Sequence, residues 1–308
     1  MNYQIILEQI HSDITPLLGQ GKVATYIPAL SIADPNDFAM TLHLITGEVF
    51  HVGHVQKTFS IQSISKVFMY CMALSLFEDK IQGRVGVEPS GSSFNSLVQL
   101  EYENGIPRNP FINPGAIVIA DMLVTHFGEL ADDEILQFFR NSCDDFSITI
   151  NQEIAASEHD SGFRNLALAS LMKSFGNIHN RLEPILDTYF NACSIEANTT
   201  QLARSILHLA HNGIDPITSN VLLHPQHVKR INALMLTCGH YDASGEFAYK
   251  IGLPAKSGVG GGIIAVVPDV MSIAVYSPAL NSHGNSLIGT KALELFAAYT
   301  GHSIFSKS

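Results

Sequence analysis

Apolar positions recur every three or four residues along much of this chain and every second residue over a few short stretches, the mark of a mixed α and β protein. Residues 3–18 place Ile6, Ile10 and Ile14 four apart, with Gly19 behind them, and predict an amphipathic helix. A short extended segment over 21–30 is ended by Pro28. Met40-Thr-Leu42-His-Leu44 alternates, Thr46-Gly47 turns the chain, and Val49 to Val52 returns, so an antiparallel hairpin is expected. Helical spacing resumes in Val67, Phe68, Cys71, Leu74 and Phe77 and runs to about Asp79. Residues 82–113 are rich in Gly, Pro, Ser and Asn and read as a long loop, although Phe94, Leu97, Val98, Phe111 and Ile112 argue that it is ordered. Helical patterns then occupy 115–127, 131–142, 150–157, 163–175, 181–192 and 198–212. Strand patterns reopen near Ile251, with Ile263 to Val267 and Met271 to Tyr276 joined through Pro268-Asp269, and a helix near 286–299 closes the chain.

That order predicts an α+β fold. A mainly antiparallel sheet, built from both chain ends and flanked by helices, would carry an inserted α-helical subdomain. Within a single domain of 1–308, residues 1–65 and 225–308 make the sheet part and 66–224 the helical part. Composition supports a substantial core: of 308 residues, 46% are hydrophobic and 15% charged. Lys and Arg total 17 against 28 Asp and Glu, a net charge of −11 with no basic cluster, which argues against a nucleic-acid partner. The longest apolar stretch, Gly260 to Leu280, is broken by Pro268 and Asp269, so no membrane partner is expected. The start lacks the basic, apolar pattern of an export signal, and Cys71, Cys143, Cys193 and Cys238 lack paired spacing. Free thiols in a cytoplasmic protein are the expectation.

Candidate chemistry centres on Ser63-x-x-Lys66. Three residues of separation on a helix set hydroxyl and amine on one face, about a turn apart. Ser63 falls near a helix start, where the dipole favours developing negative charge, and a Lys among apolar neighbours can lose its proton near neutral pH. The spacing alone is not specific, because Ser170-x-x-Lys173 repeats it in mid-helix. Lys256-Ser257-Gly258, beside a strand, completes a set similar to that of serine β-lactamases and penicillin-binding proteins, with Tyr189-x-Asn191 the nearest match to their third element. The glycines of 258–262 let backbone N–H groups approach a ligand closely; lacking Gly-Lys-Ser/Thr and preceding a strand, they do not make a phosphate loop. His208/His211 and His224/His227 are closely spaced but have no completing carboxylate or Cys, and read as helix-surface or loop residues. By residue chemistry alone Glu158 could equally be a helix-end carboxylate, Asn113 an N-cap, and Tyr189 and Tyr241 core or rim aromatics.

Five ordered stretches together resemble the serine-dependent glutaminase family: Phe59-Ser-Ile-Gln-Ser-Ile-Ser-Lys-Val-Phe68, Glu88-Pro-Ser-Gly91 with Phe94-Asn-Ser96, Asn109-Pro-Phe-Ile-Asn113, Arg164-Asn-Leu-Ala167 and Lys256-Ser-Gly-Val-Gly-Gly-Gly-Ile263. The resemblance covers roughly residues 20–300. It implies a β-lactamase/transpeptidase-like fold and hydrolysis of L-glutamine to L-glutamate and ammonia. Ser63 would be the nucleophile of an acyl-enzyme, Lys66 its general base and Tyr241 a proton relay. Val259, with Ser63, would supply backbone N–H groups to an oxyanion hole. Asn113, Glu158, Asn165, Tyr189 and Tyr26 would hold the amino-acid head group. No metal or organic cofactor is implied, and the assembly would be a homodimer or homotetramer. Glu158 suits an ammonium, and the amides and phenols suit a carboxylate, because charged groups must be paired when buried. Lys256 is expected to depress the Lys66 pKa as a second cation. Pro114 departs from the family pattern, which has Ala there. A penicillin-recognising hydrolase and a non-catalytic amino-acid sensor are the competing readings.

Overall fold

The computed structural model describes residues 1–91 and 95–306; Phe94, one of the apolar residues noted above, lies outside them. Helix α1 (Tyr3–Ile14) is capped by the Asn2 side chain, which accepts from the Ile5 N–H at 3.3 Å. It ends earlier than its apolar period suggests because Pro16 has no N–H to continue the ladder, and Thr15–Leu17 forms a 3-10 turn. Among the described residues seven strands follow in chain order: β1 (Ala39–Leu44), β2 (Val49–Gly53), β3 (Phe59–Ser60), β4 (Glu196–Ala197), β5 (Ala255–Ser257), β6 (Gly262–Val267) and β7 (Met271–Tyr276). Five of them make one antiparallel sheet in the order β2-β1-β7-β6-β5, while β3 and β4 pair separately. The expected hairpin is present, with Met40 opposite Val52 and Leu42 opposite Phe50. Strand β7 lies between β1 and β6, so the N-terminal and C-terminal hairpins meet at the sheet centre.

The remaining helices are α2 (Ser65–Phe77), α3 (Leu97–Tyr102), α4 (Asn113–Phe127), α5 (Ala131–Cys143), α6 (Gln152–Ser161), α7 (Phe163–Ser174), α8 (Leu182–Cys193), α9 (Thr199–Ser205), α10 (Leu207–Ala210), α11 (Pro225–Cys238), α12 (Ser244–Lys250) and α13 (Leu287–Thr300). Strands β6 and β7 are buried at every residue because both sheet faces are covered. On one face Leu7, Ile10 and Ile14 of α1 and Leu293 and Phe296 of α13 pack on Met40, Ile263 and Ile273. On the other, Ile264, Val266, Ala274 and Tyr276 join Val67 and Phe68 of α2 in the larger core of the helical block.

Several expectations are corrected. The long loop contains α3, and α11 and α12 form where no helical pattern was singled out. The pattern over 198–212 divides into α9 and α10, and α6 continues past residue 157 to include Glu158. The helical run Asn113–Cys143 is long and apolar enough to cross a membrane. However, 67% of its most apolar window is buried within the fold, and it forms the core of the helical block. His208 lies in the interior and not on a helix surface.

Two devices tie the segment between α2 and α4 to this frame. Asp121, buried in α4, accepts from Arg84 Nη2 at 2.6 Å and from the Asn180 N–H at 2.9 Å. Asn109 accepts from the Phe111 N–H at 3.0 Å and donates to the Glu88 carbonyl at 2.9 Å. A Cβ on Gly115 would lie 1.9 Å from the Asn109 carbonyl oxygen, so only glycine lets this loop cross the start of α4.

Candidate active site

Ser63 occupies a 3-10 turn, Gln62–Ile64, that feeds directly into α2. Its position near a helix start is therefore as expected. Gln62 has a positive φ of 51°, a costly backbone conformation for a non-glycine residue. Helix α2 is buried on all sides from Ser65 to Leu74 and lacks a polar face, so Lys66 points into the protein with 1% exposure. Its Nζ donates to Asn113 Oδ1 at 2.6 Å and to the Phe111 carbonyl at 3.5 Å, and lies 5.8 Å from the centre of the Tyr189 ring. Asn113 begins α4, and its Nδ2 donates to Asn165 Oδ1 on α7 at 2.9 Å. Pro114 sits in the first turn of α4, where its missing N–H has no intrahelical partner to lose, so it does not disturb the helix start.

Tyr241 comes from the turn between α11 and α12. It has a positive φ of 57°, and its hydroxyl is hydrogen-bonded to the Ser63 side chain and donates to the Ser257 carbonyl at 3.4 Å. Lys256 Nζ lies 4.4 Å from the Tyr241 ring centre and donates to the same Ser257 carbonyl at 2.6 Å. Gly258 runs past the nucleophile so closely that a Cβ there would be 2.6 Å from the Ile61 carbonyl oxygen and 3.4 Å from Ser63 N. That approach brings Val259 beside Ser63, and the Val259 N–H has no other acceptor among the described residues. Glu158, on α6, is buried and hydrogen-bonded to the Gln62 side chain, which also donates to Ser60 Oγ at 2.8 Å. Tyr189, on α8, is buried against the same cluster.

Tyr26 precedes the 3-10 turn Pro28–Leu30 and is 56% exposed over the whole residue. Burial nevertheless raises its pKa well above the ordinary value, with Tyr241 and Glu158 adding to the effect. These facts fit a ring that faces outward and a hydroxyl turned towards Tyr241 and Glu158. The fold thus brings together the nine residues that the family resemblance assigns to the site, while Asn191 donates instead to Asp132 at 2.6 Å, Ser170 is exposed and Lys173 donates to the Asn180 carbonyl at the surface.

Burial dominates the electrostatics. It pulls Lys66 down to about 8, against the opposing influence of Cys193 and Glu158. It pushes Glu158 up to about 7, and the Gln62 hydrogen bond and the Lys66 charge only partly reverse this. Tyr241 is raised by burial to about 12, with its bonds to Ser63 and Ser257 pulling the other way. Lys256 is driven well below its ordinary value, first by burial and then by the Lys66 charge. Burial, and not Lys256, thus depresses Lys66, and the expected coupling runs the other way, from the Lys66 charge to Lys256.

Two contributors had no signature in the sequence. Gln62 was visible only as the neighbour of Ser63, because nothing local marks its positive φ or its reach to Glu158. Cys193 brings a buried thiol to Ser65 Oγ at 3.8 Å and to Tyr189, which only the meeting of α2 with α8 reveals.

Comparison with known proteins gives one consistent result. The family model described as Glutaminase matches residues 21–305. A glutaminase of Aliarcobacter butzleri (strain RM4018) is 58% identical over 305 residues, covering 99% of this chain and 100% of that protein. The solved structure of a probable glutaminase, ybaS, superposes with a TM-score of 0.94 at 34% identity, covering 99% of this chain and 98% of the other. A Bacillus subtilis glutaminase, in a covalent complex with 5-oxo-L-norleucine formed by its reaction with 6-diazo-5-oxo-L-norleucine, gives a TM-score of 0.89 at 32% identity, covering 99% and 100%. The sheet and helical block accordingly form the expected β-lactamase-like fold.

Proposed function

The chain belongs to the glutaminase family, and on that premise we propose that it hydrolyses L-glutamine to L-glutamate and ammonia through an acyl-enzyme on Ser63. Ser63 Oγ attacks the side-chain amide carbon while its proton passes to Lys66, either directly or by way of the Tyr241 hydroxyl. With a pKa of about 8, Lys66 is neutral in roughly a tenth of molecules at pH 7, enough to act as a base without a metal. The amide oxygen becomes an oxyanion facing the Ser63 and Val259 N–H groups, and one such donor is typically worth about 3 kcal/mol of barrier. Tyr241 returns a proton to the leaving nitrogen and ammonia departs. Water then adds to the Ser63 ester, releasing glutamate and restoring the hydroxyl.

The observation that carries this reading is the Ser63–Tyr241 hydrogen bond beside the buried Glu158 carboxylate, which is hydrogen-bonded to Gln62, the neighbour of Ser63. The first suits acyl transfer and the second suits an α-ammonium. A bound ammonium would favour ionised Glu158, overcoming the desolvation that raises its pKa. Asn113, Asn165, Tyr189 and Tyr26 are left to hold the α-carboxylate. The covalent adduct of the B. subtilis relative supports covalent chemistry in this fold.

A cytoplasmic setting is supported by four cysteines that are all buried and free. Self-association as a homodimer or homotetramer is supported by exposed Val98 and Tyr102 on α3 and Phe163 and Leu166 on the adjoining α7. Ammonia release from L-glutamine, measured beside hydrolysis of a chromogenic β-lactam, tests the activity. Ser63→Ala should lower kcat by at least about 10⁴-fold while L-glutamine still binds. Turnover that survives the substitution would overturn the acyl-enzyme.

A further inference from the structure

Beside the turn that carries Tyr241 lies a cavity of about 220 Å³ whose lining includes neither Ser63 nor Lys66 nor Tyr241 itself. His240 lines it, only 2% exposed, with a buried Nε2 that has no hydrogen-bond partner among the described residues. The ring is stacked on Phe247 at 3.6 Å. Such an atom calls for a polar partner. Burial, helped by the nearby Lys256 charge, holds the imidazole well below its ordinary pKa, so a neutral group suits it better than a charged one.

The walls carry balanced charge. Helix α12 presents Glu246 and Lys250, paired at 2.6 Å, and α13 presents Lys291 and Glu294, paired at 3.3 Å. Two anions and two cations offer no net attraction to a bare anion or cation. They do offer both ends of a zwitterion a partner, and Phe247, Ile251 and Leu287 give its aliphatic part an apolar surface.

We propose that this cavity is a second, non-catalytic site for a small α-amino-acid zwitterion with an uncharged polar end, such as L-glutamine itself. The ammonium faces Glu246 and Glu294, the carboxylate faces Lys250 and Lys291, and the polar end meets His240 Nε2. The site is one residue from Tyr241 along the chain. Asn285, in its wall, joins it to the catalytic centre by accepting from Ser257 Oγ at 2.5 Å and donating to the His240 carbonyl at 3.4 Å. At the rim, Asp242 pairs with His283 at 3.2 Å. An occupant therefore bears on both flanks of the turn that sets Tyr241.

The natural chain contains no Trp, so one introduced here gives a signal free of background, and the charge exchange below ties it to this cavity. The choice of L-glutamine rests on the glutaminase reading, and the test is arranged so that the two can fail separately. Leu287→Trp is made in the Ser63→Ala background, and its fluorescence is followed against L-glutamine, against L-homoserine, which has no amide to hydrolyse, and against sodium phosphate, with released ammonia assayed in parallel. A saturable change with both amino acids and none with phosphate is expected. Exchanging the charges by Lys291→Glu with Glu294→Lys keeps the local ion pair but reverses it, and should weaken the response at least tenfold. No saturable change, a response unaltered by the exchange, or an equal response to phosphate would each overturn the site. Ammonia release by the Ser63→Ala protein would instead count against the acyl-enzyme alone. If Leu287→Trp fails to fold, Thr290→Trp, on the same wall, takes its place.

Discussion

At the scale of single residues, burial moves two ionisable groups towards neutrality from opposite sides. Glu158 is raised to about 7, so as pH falls through 7 it takes up a proton and loses its attraction for the substrate ammonium; KM should rise. Lys66 is lowered to about 8, so the neutral base becomes more abundant as pH rises through 8. Both effects act in the same direction, and kcat/KM should climb from pH 6 to pH 9. A flat profile over that range would contradict both assignments. Glu158→Gln should raise KM by about 100-fold, as expected for loss of a buried charged partner, and remove the inflection near pH 7. In Lys256→Met the inflection attributed to Lys66 should stay in place while kcat falls through the loosened Tyr241 ring. An upward shift of that inflection would restore Lys256 as the depressing cation.

At the scale of elements, placing the site depends on a few hydrogen-bonded junctions. Asp121 joins Arg84, His179 and Asn180 to the middle of α4 and so fixes the long segment that ends in Asn113. Burial alone would raise its pKa, but the Asn180 and Arg84 donors outweigh it and hold the carboxylate below its ordinary value. Asp121→Ala should cost about 3–5 kcal/mol in chemical denaturation, since it leaves the Arg84 charge without its buried partner. A loss below about 1 kcal/mol would show that the junction is dispensable. Asp121 was not among the residues singled out from the sequence, where it is one polar position in an apolar helix. Period gave α2, α4 and the two long hairpin strands of each chain end, because one residue type repeating along one element is enough to establish them. It missed α3, α11 and α12, whose apolar residues are too few or too mixed to stand out from a loop.

At the scale of the whole molecule, the sheet assembled from both chain ends holds the Lys256–Gly262 turn against the Gln62–Ile64 turn, and the helical block supplies the opposite wall. Exposed apolar side chains on α3 and α7 mark the face proposed for self-association. Light scattering coupled to size exclusion should find an assembly of two or four chains of 33.5 kDa, and Phe163→Arg should shift it towards the single chain. A monomeric parent would remove the proposal.

The sequence by itself determined the α+β order of elements, the position of Ser63 at a helix start, and a set of motif residues that come together in the fold. Those features depend on residue identity and near-neighbour spacing, which a linear reading retains. Tertiary structure alone decided how far Lys66 and Glu158 are desolvated, that burial and not Lys256 lowers Lys66, how Gln62 reaches Glu158, and that a His240 nitrogen without a partner among the described residues lies buried in the wall of a cavity beside the Tyr241 turn. Each depends on which distant segments exclude water from a group, and α2, α6, α8 and the 256–262 turn, far apart in the chain, meet only in the folded protein.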